Sequence, residues 1–426
     1  MHLKFFLDWY REKGVRMRLA SITIKNYRAL DDITISLNDH MNVIYGENGV
    51  GKSSILYLIH DFLNLLSHKD AVDSGYKIFP PLRIRDKSQE TLVRLLFEDG
   101  STVEGKVSPD SPSLQIETVD KHSFERTPVI LGNIFPGLSF TSFIPNVINK
   151  PNIEAKQIDN RLEFVIPELP KVAYTRGFNY FEFKARFEEL ENLENQKKLA
   201  QITDQKLPLE KSYCNPTLEK IRNAIPKIAP QLHGLTIDRQ QPGNPLCVEK
   251  YGRLINIEDQ LSSGEASVVA LVGQIALDLS EVSSQNHIVI IDEVDNSLHP
   301  QWQMKICHVL QEIFPEVQFI MSSHSPFVWA GLEKDEIIWL EKDELGKTIH
   351  RPAAFAKGGS VESIIAHFFN TKSYDDEAAV AIKQVDEYIN KKQKNEATQE
   401  IERLRERFGD LPILERLEFR MRMMGL

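Results

Sequence analysis

Gly46-Glu47-Asn48-Gly49-Val50-Gly51-Lys52-Ser53 is the stretch on which the reading of this chain turns. The apolar run Asn42-Val43-Ile44-Tyr45 precedes it and reads as a buried strand. Ser54 to Leu63 follows with helical periodicity and few breakers. Strand, glycine loop, Lys-Ser and helix is the order that a polyphosphate-binding loop requires. Gly46, Gly49 and Gly51 lack a Cβ, so the backbone can curl and aim its N–H groups inward, with Glu47, Asn48 and Val50 between them. The positive end of the helix, opening through Ser53 and Ser54, adds to that field. Lys52 supplies a compact charge for β and γ phosphates, and the Ser53 hydroxyl an oxygen for Mg²⁺. A glycine-rich turn arising by chance has no reason to be flanked this way.

The bulk properties are those of a soluble globular protein. The chain has 426 residues, 42% hydrophobic and 26% charged, enough for two lobes. No run reaches the length of a membrane span. Met1 to Arg16 reads as a short amphipathic helix and lacks the small-residue cleavage site of a secretory signal. Cys214, Cys247 and Cys307 are far apart and odd in number, which implies neither a disulfide framework nor a zinc site and points to a reducing cytoplasm. A net charge of −10 argues against nucleic acid binding over the whole surface, while leaving room for a local basic groove.

Patterning divides the chain further. Leu19 to Ile24 and the alternating Ile33 to Leu37 read as strands that open an α/β core with the phosphate loop, an N-terminal lobe over 1–66. Leu92–Phe97, an Asp99-Gly100 turn, Thr102–Glu104 and Leu114–Thr118 predict an antiparallel β-layer within 67–176, with 131–160 as loop. A helical arm occupies 177–232: Phe178 to Gln201, with a stripe of Phe181, Phe183, Phe187, Leu190 and Leu193, then Thr217 to Ile228. Leu235–Ile237 and Leu246–Lys250 read as strands returning to the core, which fills 233–354. A C-terminal helical cap takes 355–426.

Three motifs in the second lobe carry chemistry. Ile288-Val289-Ile290-Ile291-Asp292-Glu293 is a fully buried parallel strand ending in two acids, where α/β ligands sit. Asp292 would hold Mg²⁺ with Ser53, and Glu293 would polarise an attacking water. Leu261-Ser262-Ser263-Gly264-Glu265 opens a helix from Ala266 to Leu279 and makes a second anion site. One chain has little use for two such sites on one γ phosphate, whereas a second chain does. Phe319 to Ser325 is another buried strand, ending at His324, which is placed to donate to that phosphate.

Together, Gly46–Ser53, Leu261–Glu265, Ile288–Glu293, Asp295 and His324 resemble the ABC-type ATPase heads of the SMC, RecF and OLD kind. The resemblance implies an ATP and Mg²⁺ site sandwiched between two heads, with Ser262, Ser263, Gly264 and Glu265 as the signature reaching ATP in trans. It also implies a D-loop aspartate at Asp295, a switch histidine at His324 and a basic residue near the nucleotide at Arg28. The Q-loop glutamine stays open between Gln115 and Gln157. Phe187–Asn195, Lys357–Ile365 and Arg407–Pro412 are similar to the PtuA-like ATPases of Septu-type anti-phage and some retron systems. That likeness implies a homodimer or higher homo-oligomer working with a separate HNH endonuclease, with nucleic acid reached through the complex and no membrane contact. No His-Asn-His cluster is present, and the tail is too short and too helical for the Toprim nuclease of OLD proteins. The alternatives are a RecF-like head that clamps DNA along Lys184, Arg186, Lys197, Lys198, Lys220 and Arg222, and a transporter subunit needing a separate membrane partner.

Overall fold

The computed structural model describes residues 18–67, 89–108, 111–118, 129–134, 154–158, 161–165, 180–203, 213–281, 287–368 and 375–425. The expected helix over residues 1–16 lies outside them. Two compact units emerge, divided between Gly358 and Gly359, four residues beyond the expected boundary.

In chain order the first unit contains β1 (Leu19–Tyr27), β2 (Leu30–Ser36), β3 (Met41–Gly46), α1 (Lys52–Ser67), β4 (Thr91–Phe97), β5 (Thr102–Ser108), β6 (Ser111–Thr118), β7 (Val129–Ile134), β8 (Glu154–Ile158) and β9 (Arg161–Val165). Then come α2 (Tyr180–Thr203), α3 (Pro216–Ile228), β10 (Leu232–Ile237), β11 (Leu246–Lys250), β12 (Arg253–Asn256), α4 (Ile257–Gln260) and α5 (Ser263–Glu281). It closes with β13 (His287–Ile291), α6 (Pro300–Ile313), β14 (Val317–Ser322), α7 (Pro326–Ala330), β15 (Ile337–Lys342) and β16 (Thr348–Arg351).

Two sheets make the head. Six strands in the order β16-β15-β3-β14-β13-β7 form a sheet that is parallel except at β16. Every residue of β3, β13 and β14 is buried, as continuous apolar runs between two covering layers require. The second sheet is antiparallel, in the order β2-β1-β4-β5-β6-β9-β8. Helix α1 supplies Ile55, Leu56, Ile59 and Leu63 to the core, where Ile22, Ile24, Val93 and Leu95 of the antiparallel sheet meet Ile288, Ile290 and Ile320 of the other. The head is thus α/β with an antiparallel β-layer.

Four sequence expectations change. β1 and β2 belong to the antiparallel sheet rather than to the parallel one, in keeping with the half-buried alternation of β2. The stretch expected to be loop contains β8, of the antiparallel sheet, and most of β7, which is paired in parallel with β13. Its Gly132 and Asn133 disguise a short core strand as a turn. β10, β11 and β12 form their own three-stranded sheet instead of rejoining the core.

The fourth change concerns α2. Its buried face is Phe183, Phe187, Glu191 and Glu194, while Phe181 is 64% exposed and Leu193 44%. The two carboxylates are buried because cations meet them: Arg222 of α3 bonds both, and Arg239 bonds Glu191 at 2.7 Å. Thr236 Oγ1 and the Ile237 N–H also donate to Glu191. Both helices of the arm are thereby fastened to β10.

The second unit holds α8 (Val361–Phe368), α9 (Asp376–Asn390), α10 (Lys394–Phe408) and α11 (Pro412–Met423). Val385, Ile389, Ile401, Leu404, Leu414 and Leu417 are buried in a core of its own. No helix among the described residues is long and apolar enough to cross a membrane.

Candidate nucleotide site

The phosphate loop joins β3 to α1 and closes over itself. Gly46, Gly49 and Gly51 have φ of +149°, +83° and +105°. A Cβ on Gly46 would stand 2.3 Å from the Leu340 carbonyl oxygen, and one on Gly51 2.7 Å from Leu30 Cδ2, so both positions exclude a side chain. The first N–H groups of α1 have no partner within the helix and open into this concavity. Lys52 is 6% exposed and donates to the carbonyls of Gly46 at 2.8 Å and Glu47 at 3.0 Å. Burial lowers its pKa to about 8, against the pull of Asp292, Glu293 and Asp295. A phosphate oxygen in the concavity is the partner that an ammonium so placed lacks.

β14 lies between β3 and β13 and so brings the remaining groups to the loop. Ser53 Oγ donates to Asp292 Oδ1 at 3.2 Å. Ser322 Oγ also donates to Asp292 and accepts from the Glu293 N–H at 2.8 Å. Glu293 is half-buried with φ +53°, a left-handed turn that separates its carboxylate from that of Asp292. Asp295 Oδ1 accepts from Ser323 Oγ at 2.6 Å and from the His324 N–H at 3.2 Å. Burial and then the charge of Lys52 hold the His324 pKa below its ordinary value, so the imidazole is neutral at pH 7 and retains one ring N–H to donate. Among the described residues no three His, Cys, Asp or Glu side chains form a metal cage. One buried carboxylate beside one hydroxyl suits Mg²⁺, which takes its other oxygens from phosphate and water.

Arg28, with φ +51°, lies at the mouth of α1. Its Nη1 donates to Ser54 Oγ at 3.4 Å, and its guanidinium lies 5.4 Å from the Tyr27 ring centroid and 5.9 Å from that of Tyr57. Glu47 and Asn48 are exposed and Val50 is buried.

The serine-glycine segment is built differently. Ser262 caps α5: its Oγ donates to Glu265 Oε2 at 2.9 Å and accepts from the Glu265 N–H at 3.4 Å, while its own N–H donates to Oε2 at 3.1 Å. That is a capping box. Gln231 and Lys250 complete the shell around Glu265. Burial alone would raise this carboxyl, but the bonds from Lys250, Gln231 and Ser262 prevail and bring its pKa down to about 2. Gly264 packs under the D-loop, where a Cβ would stand 2.5 Å from the Ser297 carbonyl oxygen. Ser263, exposed at the first turn of α5, is the hydroxyl left outside this box.

The structure therefore gathers Lys52, Ser53, Asp292, Glu293, Asp295 and His324 at one place, with Arg28 beside Ser54. It ties Ser262, Gly264 and Glu265 to Lys250 and Ser297 instead. Gln115 and Gln157 fall on β6 and β8 of the antiparallel sheet. Sequence reasoning assigned no role to Ser322, Ser323, Gln303 or Thr348. Gln303 holds the D-loop carbonyls of Asp295 and Leu298 at 3.0 and 2.9 Å, and Thr348 Oγ1 holds Val50 O at 2.9 Å. The pair of hydroxyls ending a buried strand at Ser322-Ser323 was the one legible signal among these.

A phosphate loop and an acid-tipped strand on either side of a His-bearing strand define an ABC-type P-loop ATPase head. By residues 41–330, the chain belongs to the family described as "AAA domain, putative AbiEii toxin, Type IV TA system". The Retron Vc95 probable ATPase of Vibrio cholerae serotype O1 biovar El Tor is 26% identical over 382 residues, covering 76% of this chain and 73% of that protein. For the Retron Ec83 probable ATPase of Escherichia coli the figures are 24% over 411 residues, 79% and 74%. Septu protein PtuA of Bacillus mycoides (strain KBAB4) is 26% identical over 374 residues, which are 84% of this chain but 45% of that protein. Among solved structures, an SMC head bound to the C-winged helix domain of ScpA covers 79% of this chain and 98% of its own, with a TM-score of 0.49 at 16% identity.

Proposed function

We propose that this protein binds and hydrolyses ATP between two copies of its head and controls a separate HNH-type nuclease in anti-phage defence. The observation that carries the ATPase step is the Ser53–Asp292–Ser322–Glu293 arrangement. Ser53 and Asp292 would hold Mg²⁺, which when bound neutralises charge on the β and γ phosphates. Lys52 exchanges its carbonyl partners for phosphate oxygens. Ser322 fixes both Asp292 and the Glu293 backbone, so the Glu293 carboxylate is positioned to accept a proton from the attacking water. His324 donates to the same phosphate and passes its occupancy to Asp295. Ser263 of the second copy then closes the site, and ATP favours the closed pair because it binds that pair better.

The defence role is carried over from the retron ATPases and PtuA to which the chain is similar. The DNA-clamp alternative is weakened because four of its six cations are paired with acids: Arg186 bonds Asp278, Lys198 and Arg222 bond Glu194, and Lys220 bonds Glu316, while Lys184 and Lys197 meet the neutral Gly243 carbonyl and Tyr213 hydroxyl. The test is to purify wild type and Glu293→Gln, alone and with any HNH protein encoded beside it. Mass in solution with and without ATP and Mg²⁺, ATP consumption and plasmid cutting are then followed. A stable complex, nucleotide-sensitive cutting and loss of hydrolysis in the variant are expected. No complex, no cutting and DNA binding by this chain alone would favour the clamp.

A further inference from the structure

Two large apolar side chains of the head stand out in water at hairpin tips: Tyr251, 82% exposed, and Leu345, 81% exposed. Tyr251 and Gly252 form the two-residue loop between β11 and β12, closed by the Lys250–Arg253 pair. Their φ angles are +52° and +72°, the pattern of a type I′ turn. Asn, Asp or Gly ordinarily takes the first place of such a turn, because a bulky residue is strained there. This tyrosine carries that strain while its ring is left to solvent. Its internal contact is the Lys250 ammonium, 5.9 Å from the ring centroid, and a strained residue packed so thinly points outward, to a function.

Each tip is fastened to a different half of the nucleotide site. Lys250, next to Tyr251, bonds Glu265 Oε1 at 2.8 Å, and β12 leads through α4 straight into Ser262. Leu345 belongs to the other half. β15 runs parallel to β3 with Leu340 opposite Gly46, so the turn beyond Lys342 projects past the edge on which the phosphate loop opens. Thr348 Oγ1 bonds Val50 O, and Lys342 Nζ reaches Ala29 O at 3.4 Å. The Leu345 turn is held stiff by Asp343 Oδ1, which accepts from the N–H groups of Leu345 at 3.0 Å and Lys347 at 2.7 Å.

We propose that the Tyr251 turn of each copy seats on the Leu345 turn of a second copy, giving two apolar contacts that flank the paired nucleotide sites. This rests on the reading that the serine-glycine half of one head closes on the phosphate loop of another. Under that two-fold closure, a feature tied to one half of the site is carried to the feature tied to the other half, and twice by symmetry. The occupant is therefore another copy of this chain, and tyrosine is a residue type favoured as an anchor at such interfaces. Because the contact is made twice, a loss of about five-fold at each multiplies to roughly 25-fold in the dimer constant.

The test uses Glu293→Gln with Cys214→Ser as parent and measures its monomer–dimer equilibrium by sedimentation with ATP and Mg²⁺. A parent that stays monomeric overturns the closed-pair reading, and this contact with it, before any hairpin variant is made. Given a dimeric parent, Tyr251→Asn is chosen because asparagine suits the turn. Its thermal midpoint is expected to hold or rise and its binding of a fluorescent ATP analogue as monomer to be unchanged, while dimerisation weakens at least ten-fold. Leu345→Asp is expected to weaken dimerisation similarly. A Tyr251→Cys, Leu345→Cys double variant is expected to oxidise to a covalent dimer only with ATP. Full-strength dimers in both single variants, or no covalent capture from the dimeric double variant, would overturn the contact. So would unchanged dimerisation combined with lost retention of an HNH partner, which would hand the tips to that partner.

Discussion

Two described helix starts of the head, those of α1 and α5, carry glycine and serine, and they are built for opposite ends. Before α1, three left-handed glycines turn the backbone into a concavity lined by its own N–H groups, and Lys52 makes do with loop carbonyls. Before α5 the polar groups have already found one another. Ser262 and Glu265 satisfy each other, Lys250 and Gln231 complete the shell, and Gly264 serves to let the Ser297 carbonyl approach. The first is a receptor for an anion. The second already holds one, its own Glu265, and of its two exposed serines only Ser263 lies outside the capping box. A helix N-terminus and a glycine thus do not make an anion site until the side chains around them are accounted for.

The contrast is sharpest in its chemistry. Glu293→Gln keeps the shape of the phosphate-loop half and removes the base proposed for it, so ATP hydrolysis is expected to fall by about 10²–10⁴-fold while ATP binding persists. Phosphate release and equilibrium binding measured on the same preparation check this, and equal losses in both would break the assignment. Next is Gly264→Ala, whose methyl would stand 2.5 Å from the Ser297 oxygen. An overpacking cost of about 1–3 kcal/mol placed on the D-loop corresponds to roughly 5–140-fold in ATP-driven dimerisation. ATP binding by the monomer should be untouched. Sedimentation and nucleotide titration separate the two, and a variant that dimerises normally would show that the Ser297 contact is dispensable.

The acid stability of the fold tests the held carboxylate. Glu265 titrates at about 2 in the folded protein, below the 4.5 of a free glutamate. Its stabilisation is therefore complete above about pH 4.5 and is lost as pH falls toward 2, with a slope of at most about 1.4 kcal/mol per pH unit. Glu265→Gln should be less stable than wild type at pH 7, and the gap should narrow on acidification. Denaturant midpoints at pH 7, 4.5 and 3 measure it. A constant gap would mean that the carboxylate's charge contributes nothing.

The two halves also differed in legibility. The phosphate loop and strands β13 and β14 could be located in the sequence, β13 starting one residue and β14 two residues before the runs read there, because continuous apolar runs ending in glycine, acids or hydroxyls are a strong strand signal. Elements that depend on distant partners could not. β7 is a core strand only because β13 lies beside it, and Gly132 and Asn133 conceal that. Glu191 and Glu194 occupy the buried face of α2 because Arg222 and Arg239, 28 to 48 residues further on, meet them there. Leu193 looked like part of that face by type alone. Ser262 shows the same dependence on distant partners. Its capping-box partner three residues on was visible, but the Lys250 ammonium and the Gln231 amide that hold Glu265 in place are supplied only by the fold.

The smallest effect divides the two serines. Ser262→Ala removes a cap and the hydroxyl bonded to Glu265, so it should lower stability by about 1 kcal/mol wherever the equilibrium is measured. Ser263→Ala removes an exposed hydroxyl at the first helical position and should leave stability within about 0.5 kcal/mol of wild type. If Ser263 is the group that reaches a second copy's nucleotide, its loss should instead appear in ATP-dependent dimerisation and hydrolysis. Denaturant melts and steady-state ATP turnover on both variants form a two-by-two comparison. A Ser262 defect confined to turnover, with stability intact, would reverse the roles, because it would mean the capping box opens when two heads meet. The same result from both variants would dissolve the distinction between a helix start that receives an anion and one that has already bound its own.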